Sequence, residues 1–227
     1  MGRVDFQLKI RGFRIDVSEI EVALRAIDGV QDAVVVGRED SLGEKRLVAY
    51  FVPSTSSVIT ATQMRKNLAN VIPEYMIPSA FVHMDAIPQT PNGKTDRLRL
   101  PLPSHQRPTL DVPYTPPKSA LEEKLSRIWS DVLAIEPVGV HDHFFELGGD
   151  SLRATRIVVR ILKELRVEIA LKTLFHAPTI AQVVEEISAH QAGHAEEAKV
   201  AALLERIESL SDEEVQRWLV EGEPNGR

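Results

Sequence analysis

No cysteine occurs among the 227 residues. That absence excludes a disulfide framework and a Cys nucleophile together, and it agrees with a reducing compartment. Any thiol chemistry must then come from a cofactor. No apolar run approaches the length of a membrane span, and the opening residues Met1-Gly2-Arg3-Val4-Asp5 lack the apolar core of a secretory signal, so a cytoplasmic location without a membrane partner is expected. A basic surplus is missing as well. The net charge is −6, and residues 191–227 hold nine acidic against four basic side chains, leaving 24 against 23 before them. Phosphate-backbone binding requires a clustered basic face, so nucleic acid is not an expected partner. No repeat and no metal-ligand cluster is seen.

What is present divides into segments. Val4, Phe6, Leu8 and Ile10 alternate with Asp5, Gln7, Lys9 and Arg11, the period of a half-buried strand, and Gly12 permits the turn that ends it. Ser18 with Glu21 reads as a capping box for a helix bearing Ile20, Ala23, Leu24 and Ile27. Ala33 to Val36 and Leu47 to Val52 read as buried strands, Thr60 with Gln63 caps a helix carrying Met64 and Leu68, and Ala80 to Met84 is a short strand. Residues 1–99 are therefore expected to form a small α+β unit.

Residues 101–117 contain six prolines, which disfavour helix and central strand and predict an extended, semi-stiff connector, residues 100–117 in all. Fully stretched at about 3.1 Å per residue it would reach roughly 50 Å, leaving its flanks semi-independent. Beyond it the pattern is helical. Ser119 with Glu122 caps a helix lined by Leu121, Leu125, Ile128, Trp129 and Val132. Ser151 opens another that carries Leu152, Thr155, Val159 and Leu162 at helical spacing. Thr179 with Gln182 caps a third bearing Ile180, Val183, Val184 and Ile187, and a short fourth is expected around Leu171 to His176. Residues 118–190 thus read as an all-α four-helix bundle, and 191–227 as an acidic helical tail.

Ser151 follows Gly148-Gly149-Asp150 and starts a helix, where its hydroxyl would meet the positive end of the helix dipole. A plain N-cap is the simplest use of such a serine. The surrounding run Asp142-His143-Phe144-Phe145-Glu146-Leu147-Gly148-Gly149-Asp150-Ser151-Leu152 closely resembles the attachment motif of peptidyl carrier (thiolation) domains. The resemblance implies that a phosphopantetheinyl transferase joins 4′-phosphopantetheine to Ser151, whose thiol then holds an acyl group. Gly149-Asp150-Ser151-Leu152 also spells the nucleophile motif of a lipase family, but those hydrolases need a downstream Asp-x-x-His, and none follows here.

The first hundred residues carry a second resemblance. Gly2 to Ile15 with Glu19-Ile20-Glu21, Ile72-Pro73-Glu74-Tyr75-Met76-Ile77-Pro78, and Pro88 to Arg97 are similar, in order and spacing, to the eighth, ninth and tenth core motifs of adenylation domains. The chain is thereby identified as resembling a nonribosomal peptide synthetase segment, an adenylation-domain C-terminal subdomain followed by a carrier. In such a family Lys94, otherwise a solvent-facing residue of the Pro91-Asn92-Gly93-Lys94 turn, would neutralise charge building on the α-phosphate of ATP. Asp5 would be the hinge of the subdomain, Arg3 a ribose contact, and Gly12 part of the loop facing the pantetheine arm. A strand-face pair for Arg3 and Asp5 and a plain turn for Gly12 remain open.

No Gly/Ser/Thr-rich phosphate loop, ribose-binding acid or specificity pocket is found. ATP and Mg²⁺ are therefore expected only with an upstream adenylation core, and the segment alone should not activate an amino acid, whether it is an excised piece or half of a split enzyme. Condensation or other downstream domains are further expected partners. Leu100-Pro101-Leu102-Pro103 resembles the anchoring motif that follows adenylation domains, and the tail would serve packing or a docking partner. Two other readings stand beside this one: the carrier-fused end of an acyl-acid ligase, and a non-catalytic interaction fragment.

Overall fold

A computed structural model describes residues 7–10, 12–40, 43–54 and 59–190. The chain divides into two compact units, 1–183 and 184–227; the expected acidic tail, 191–227, lies outside the described residues.

The first unit opens on a hairpin of β1 (Gln7–Ile10) and β2 (Phe13–Asp16), antiparallel, with Gly12 at its turn at φ +84°. Helix α1 (Val17–Arg25) follows directly. Its cap is Asp16, which accepts from Ser18 N, in place of the expected box of Ser18 and Glu21. The reason is the use made of Glu21. Its side chain turns inward, accepts from the Val35 amide at 2.9 Å and pairs with Arg97 at 2.9 Å, so it cannot reach back to the helix start.

Strands β3 (Val30–Glu39), β4 (Lys45–Pro53) and β5 (Ala80–His83) form one sheet in that order, β3 antiparallel and β5 parallel to β4. Parallel pairing requires a crossover, which α2 (Ala61–Ala69) supplies. The sheet is covered on both faces, which explains why β3 and β4 read as continuous apolar runs. Ala33, Val35, Leu47 and Ala49 join Ile20, Leu24, Met64 and Leu68 of the helices in one cluster. Val34, Val36, Val48 and Tyr50 face the other way, against Leu100. The capping box at Thr60 and Gln63 forms as expected.

The proline-rich segment is a packed strap, in contrast to the open connector expected. Tyr50 Oη donates to Pro101 O, Arg38 to Leu100 O, and Leu100 is buried, fixing the start to the sheet. His105 and Arg107 exchange backbone bonds with Glu136, Ala61 N donates to Thr109 O, and Val140 N donates to Thr115 O. Proline removes amide donors, but it leaves its own carbonyl and the groups of intervening residues free to bond on both sides.

Helix α3 (Ala120–Leu133) carries the expected Ser119–Glu122 box and buries Leu125, Ile128, Trp129 and Val132. After a long loop come α4 (Ser151–Leu165), α5 (Thr173–His176) and a helix α6 over 180–190. Helix α4 buries Ala154, Ile157 and Ile161. Leu152, Val159 and Leu162, which share helical spacing in the sequence, are instead on its exposed side. Two apolar stripes repeat at the same period on this helix, so periodicity alone could not choose between them. Phe144 packs edge-on to Trp129, 5.2 Å between centroids, tying the loop to α3. Among the described residues no helix is long and apolar enough to cross a membrane.

Candidate functional site

Ser151 is the first residue of α4 and is exposed. It is not the cap. Asp150 performs that task, accepting from Leu152 N and Arg153 N at 3.0 Å each, so the serine hydroxyl is released from the helix terminus. The two preceding glycines are demanded by space. Gly148 has φ +88°, and a Cβ there would stand 2.4 Å from Ser79 O; a Cβ on Gly149 would stand 2.5 Å from the Phe144 ring. The approach to Ser151 is therefore made of bare backbone.

Ser151 borders a cleft of about 720 Å³ whose other walls include Ile10, Phe13, Arg46, Arg65, Tyr75 and His143. Phe13 stacks on Tyr75 at 4.3 Å with 11° between the planes. Ile10 and Phe13, on either side of the Gly12 turn, thus share a cleft with Ser151. Lys94 does not line it. It is exposed in a turn closed by Thr90 N to Lys94 O (2.7 Å) and Gly93 N to Thr90 O (2.9 Å). Arg3 and Asp5 lie outside the described residues.

The cleft is electrostatically uneven. Burial pushes Arg65 down to about 10, with Glu146 opposing. Arg65 lies over the Phe81 ring, 5.4 Å to its centroid, and donates to Ser79 O at 2.8 Å. Burial also lowers Arg46 and the neighbouring Arg153 charge adds to this, while Asp40 and Asp150 oppose it. His143 is held below the usual imidazole range by burial, partly offset by Glu146 and reinforced by Arg65. No hydrogen bond joins His143 to Ser151 among the described residues, although both line the cleft. Sequence reasoning missed Arg46, Arg65, His143 and Arg153, because single polar residues leave no periodic signal.

An exposed serine hydroxyl beside bare backbone, opening on a long cleft with an aromatic wall and several cations, fits a flexible phosphate-linked arm. The comparisons with known proteins agree. Residues 123–187 match the phosphopantetheine attachment site family, and residues 19–94 match the AMP-binding enzyme C-terminal domain. The chain is 44% identical over 201 residues to tyrocidine synthase 2 of Brevibacillus parabrevis, covering 88% of this chain and 5% of that one. It is 45% identical to bacitracin synthase 3 of Bacillus licheniformis over 81% of this chain and 3% of the relative. It therefore spans a small fraction of the length of the curated relatives it matches. A solved nonribosomal peptide synthetase protein containing adenylation and PCP domains, holo-PA1221 bound to a vinylsulfonamide inhibitor, is 26% identical with a TM-score of 0.53, covering 80% of this chain and 28% of that one. The attachment-site domain takes a covalent 4′-phosphopantetheine. The chain is a segment of the nonribosomal peptide synthetase family, in which the C-terminal subdomain of an adenylation domain is followed by a carrier domain.

Proposed function

We propose that Ser151 is the attachment residue and that residues 118–190, a four-helix bundle, carry an aminoacyl or peptidyl group for a peptide-synthesising assembly line. The observation that carries this is the division of labour at the start of α4: Asp150 caps the helix and Ser151 stands exposed at the cleft. When bound, the phosphopantetheine supplies the thiol that a chain without cysteine lacks. In the loading reaction the Ser151 oxygen attacks the coenzyme A phosphorus that bears the pantetheine. The bond to the nucleotide phosphate breaks, and the serine proton leaves to the transferase's base. The helix N-terminus favours the anion that results.

Residues 1–99 act as the mobile part of an adenylating enzyme whose upstream core, with ATP and Mg²⁺, is the partner of this subdomain. Lys94, exposed on its turn, neutralises charge on the α-phosphate once that core is present. Asp5 serves as the hinge, Arg3 reaches the ribose, and the Gly12 turn borders the arm, supported by its neighbours Ile10 and Phe13 in the cleft wall. Residues 100–117 connect the two domains. A phosphopantetheinyl transferase and condensation or other downstream domains are the remaining partners, with a docking role for residues 191–227 and a cytoplasmic location. The acyl-acid ligase reading is less favoured, since the relatives named above, similar across both domains, are tyrocidine and bacitracin synthases. Incubation with coenzyme A and a broad-specificity transferase is expected to add one phosphopantetheine by intact mass and none to Ser151→Ala. An unmodified wild-type chain beside a modified control carrier would refute the assignment.

A further inference from the structure

Arg153 lies two residues after Ser151, in the first turn of a helix, where an arginine is ordinarily in water. Here its side chain is only 3% exposed. Burying a guanidinium is costly unless its donors are bound. Two carboxylates bind its two terminal nitrogens, one from each domain, while Nε is buried without a hydrogen bond. Arg153 Nη1 donates to Asp150 Oδ2 at 2.6 Å within the carrier, and Nη2 donates to Asp40 Oδ2 at the end of β3 in the adenylation subdomain. The Asp40 side chain is itself 5% exposed. Arg156, one turn along α4, reaches Glu44 at 3.4 Å, and Thr62 Oγ1 donates to Glu146 at 2.8 Å. The same face includes the close approach of Gly148 to the Ser79 carbonyl.

We infer that Arg153 is a positioning residue that docks the carrier on its own adenylation subdomain, bridging Asp150 to Asp40 so that Ser151 is held at the cleft. Three features support this. Only one of the two carboxylates belongs to the carrier, so an undocked carrier would leave Arg153 with Asp150 and water. Asp150 is the cap of α4, and the bridge therefore grips the helix at the end that bears Ser151. Arg153 is two positions along the helix from Ser151, a rise of about 3 Å, so fixing one fixes the depth and direction of the other. A buried pair is weakly screened by salt, and the more exposed Arg156–Glu44 contact at the rim is screened more than the Arg153 bridge. The latch is therefore expected to persist at ionic strengths that weaken the rim.

The functional consequence rests on Ser151 being the attachment residue; the docking itself does not. The test uses the full chain without phosphopantetheine. NMR relaxation of amides in 12–99 and 118–183 should give one shared correlation time for the wild type at about 0.15 M salt. Asp40→Asn, which alters the subdomain and leaves the carrier intact, is expected to lower the docked population at least tenfold and to separate the two times. Arg153→Met should do the same, and the double variant should be no freer than either single one, the coupling expected of a direct contact. One correlation time in Asp40→Asn, or additive effects in the double variant, would overturn the inference. If Arg153→Met disturbs the carrier fold, Asp40→Asn decides alone. Failure of the attachment assignment would appear separately, as a wild-type chain that gains no mass while its docking is unchanged.

Discussion

Replacing Arg107 by Leu tests whether the strap is bound to the carrier or merely lies near it. Arg107 donates from Nε and Nη2 to the two oxygens of Asp142, at 2.8 Å each, and from Nη2 to Val112 O at 2.6 Å. The Asp142 side chain is 1% exposed and that of Arg107 14%. Removing one member of a buried pair leaves the other charge uncompensated, which costs about 3–5 kcal/mol. Asp142 would keep the Gly139 amide, a 2.8 Å bond, and the Arg107 side of the pair is partly exposed. The lower end, about 3 kcal/mol, is therefore expected. For a domain of this size each kcal/mol shifts Tm by roughly 4–8 °C, so the carrier transition should fall by at least about 12 °C in calorimetry. Asp142→Asn should cost less, about 1.5–3 kcal/mol, because it retains a polar group for Gly139 and leaves the charge on the side chain nearer water. A Leu variant melting within about 2 °C of wild type, or a reversed order of the two, would show that the strap is not held by this pair.

Burial depresses His143 below its unfolded value, so its neutral form is the one the fold favours. The stability it contributes is complete above the ordinary imidazole pKa of about 6.5 and is lost as pH falls through the lower folded value. The pH dependence of Tm below 6.5 should accordingly flatten in His143→Gln, and an unchanged slope would remove His143 as its source. The chain alone is expected to show no amino-acid-dependent ATP–pyrophosphate exchange. With an adenylation core added, exchange should appear and fall about a hundredfold or more in Lys94→Ala, whereas equal exchange by both chains would dissociate Lys94 from the chemistry.

Much of the local structure is legible in residue order because it depends on near neighbours. The Thr60–Gln63 and Ser119–Glu122 boxes form as their spacing predicts, and the apolar runs of β3 and β4 occupy a sheet covered on both faces. The failures have one physical origin. Ser18 and Glu21 have the spacing of a box, but Glu21 finds a stronger use 14 residues away at the Val35 amide. Prolines in the strap predict extended backbone correctly and say nothing about what that backbone touches. Arg153 and Asp40, separated by 113 positions, carry no shared pattern. Ser151 stood out because its neighbours resemble a family motif. The cations and aromatic stack around it come from several separate stretches of chain that only the fold unites.

The strap also determines how a docked carrier could leave. Its contacts alternate along the chain: 100 and 101 bind the sheet, 105 and 107 bind the carrier, 109 and 111 bind α2, and 115 binds the carrier again. Release of the carrier must break the bonds at 109 and 111 together with the α4 cluster, while the buried Arg107–Asp142 pair can travel with the carrier. At 111 the amide donates to Thr62 Oγ1 at 3.3 Å, a part-buried bond, and the side-chain bonds are of the cheap kind. Thr60 donates to Asp111, and Lys66 reaches it at 3.5 Å, both at exposed positions where ion pairs contribute about 1 kcal/mol or less. What stays anchored on the sheet ends at Pro101, and what moves with the carrier begins at His105. The bending therefore falls on residues 102–104, where Leu102 is 73% exposed, and not on the whole proline-rich stretch. A carrier that must visit several active sites needs such an arrangement: one strong internal tie that keeps strap and carrier together, and a short pivot beside a fixed anchor.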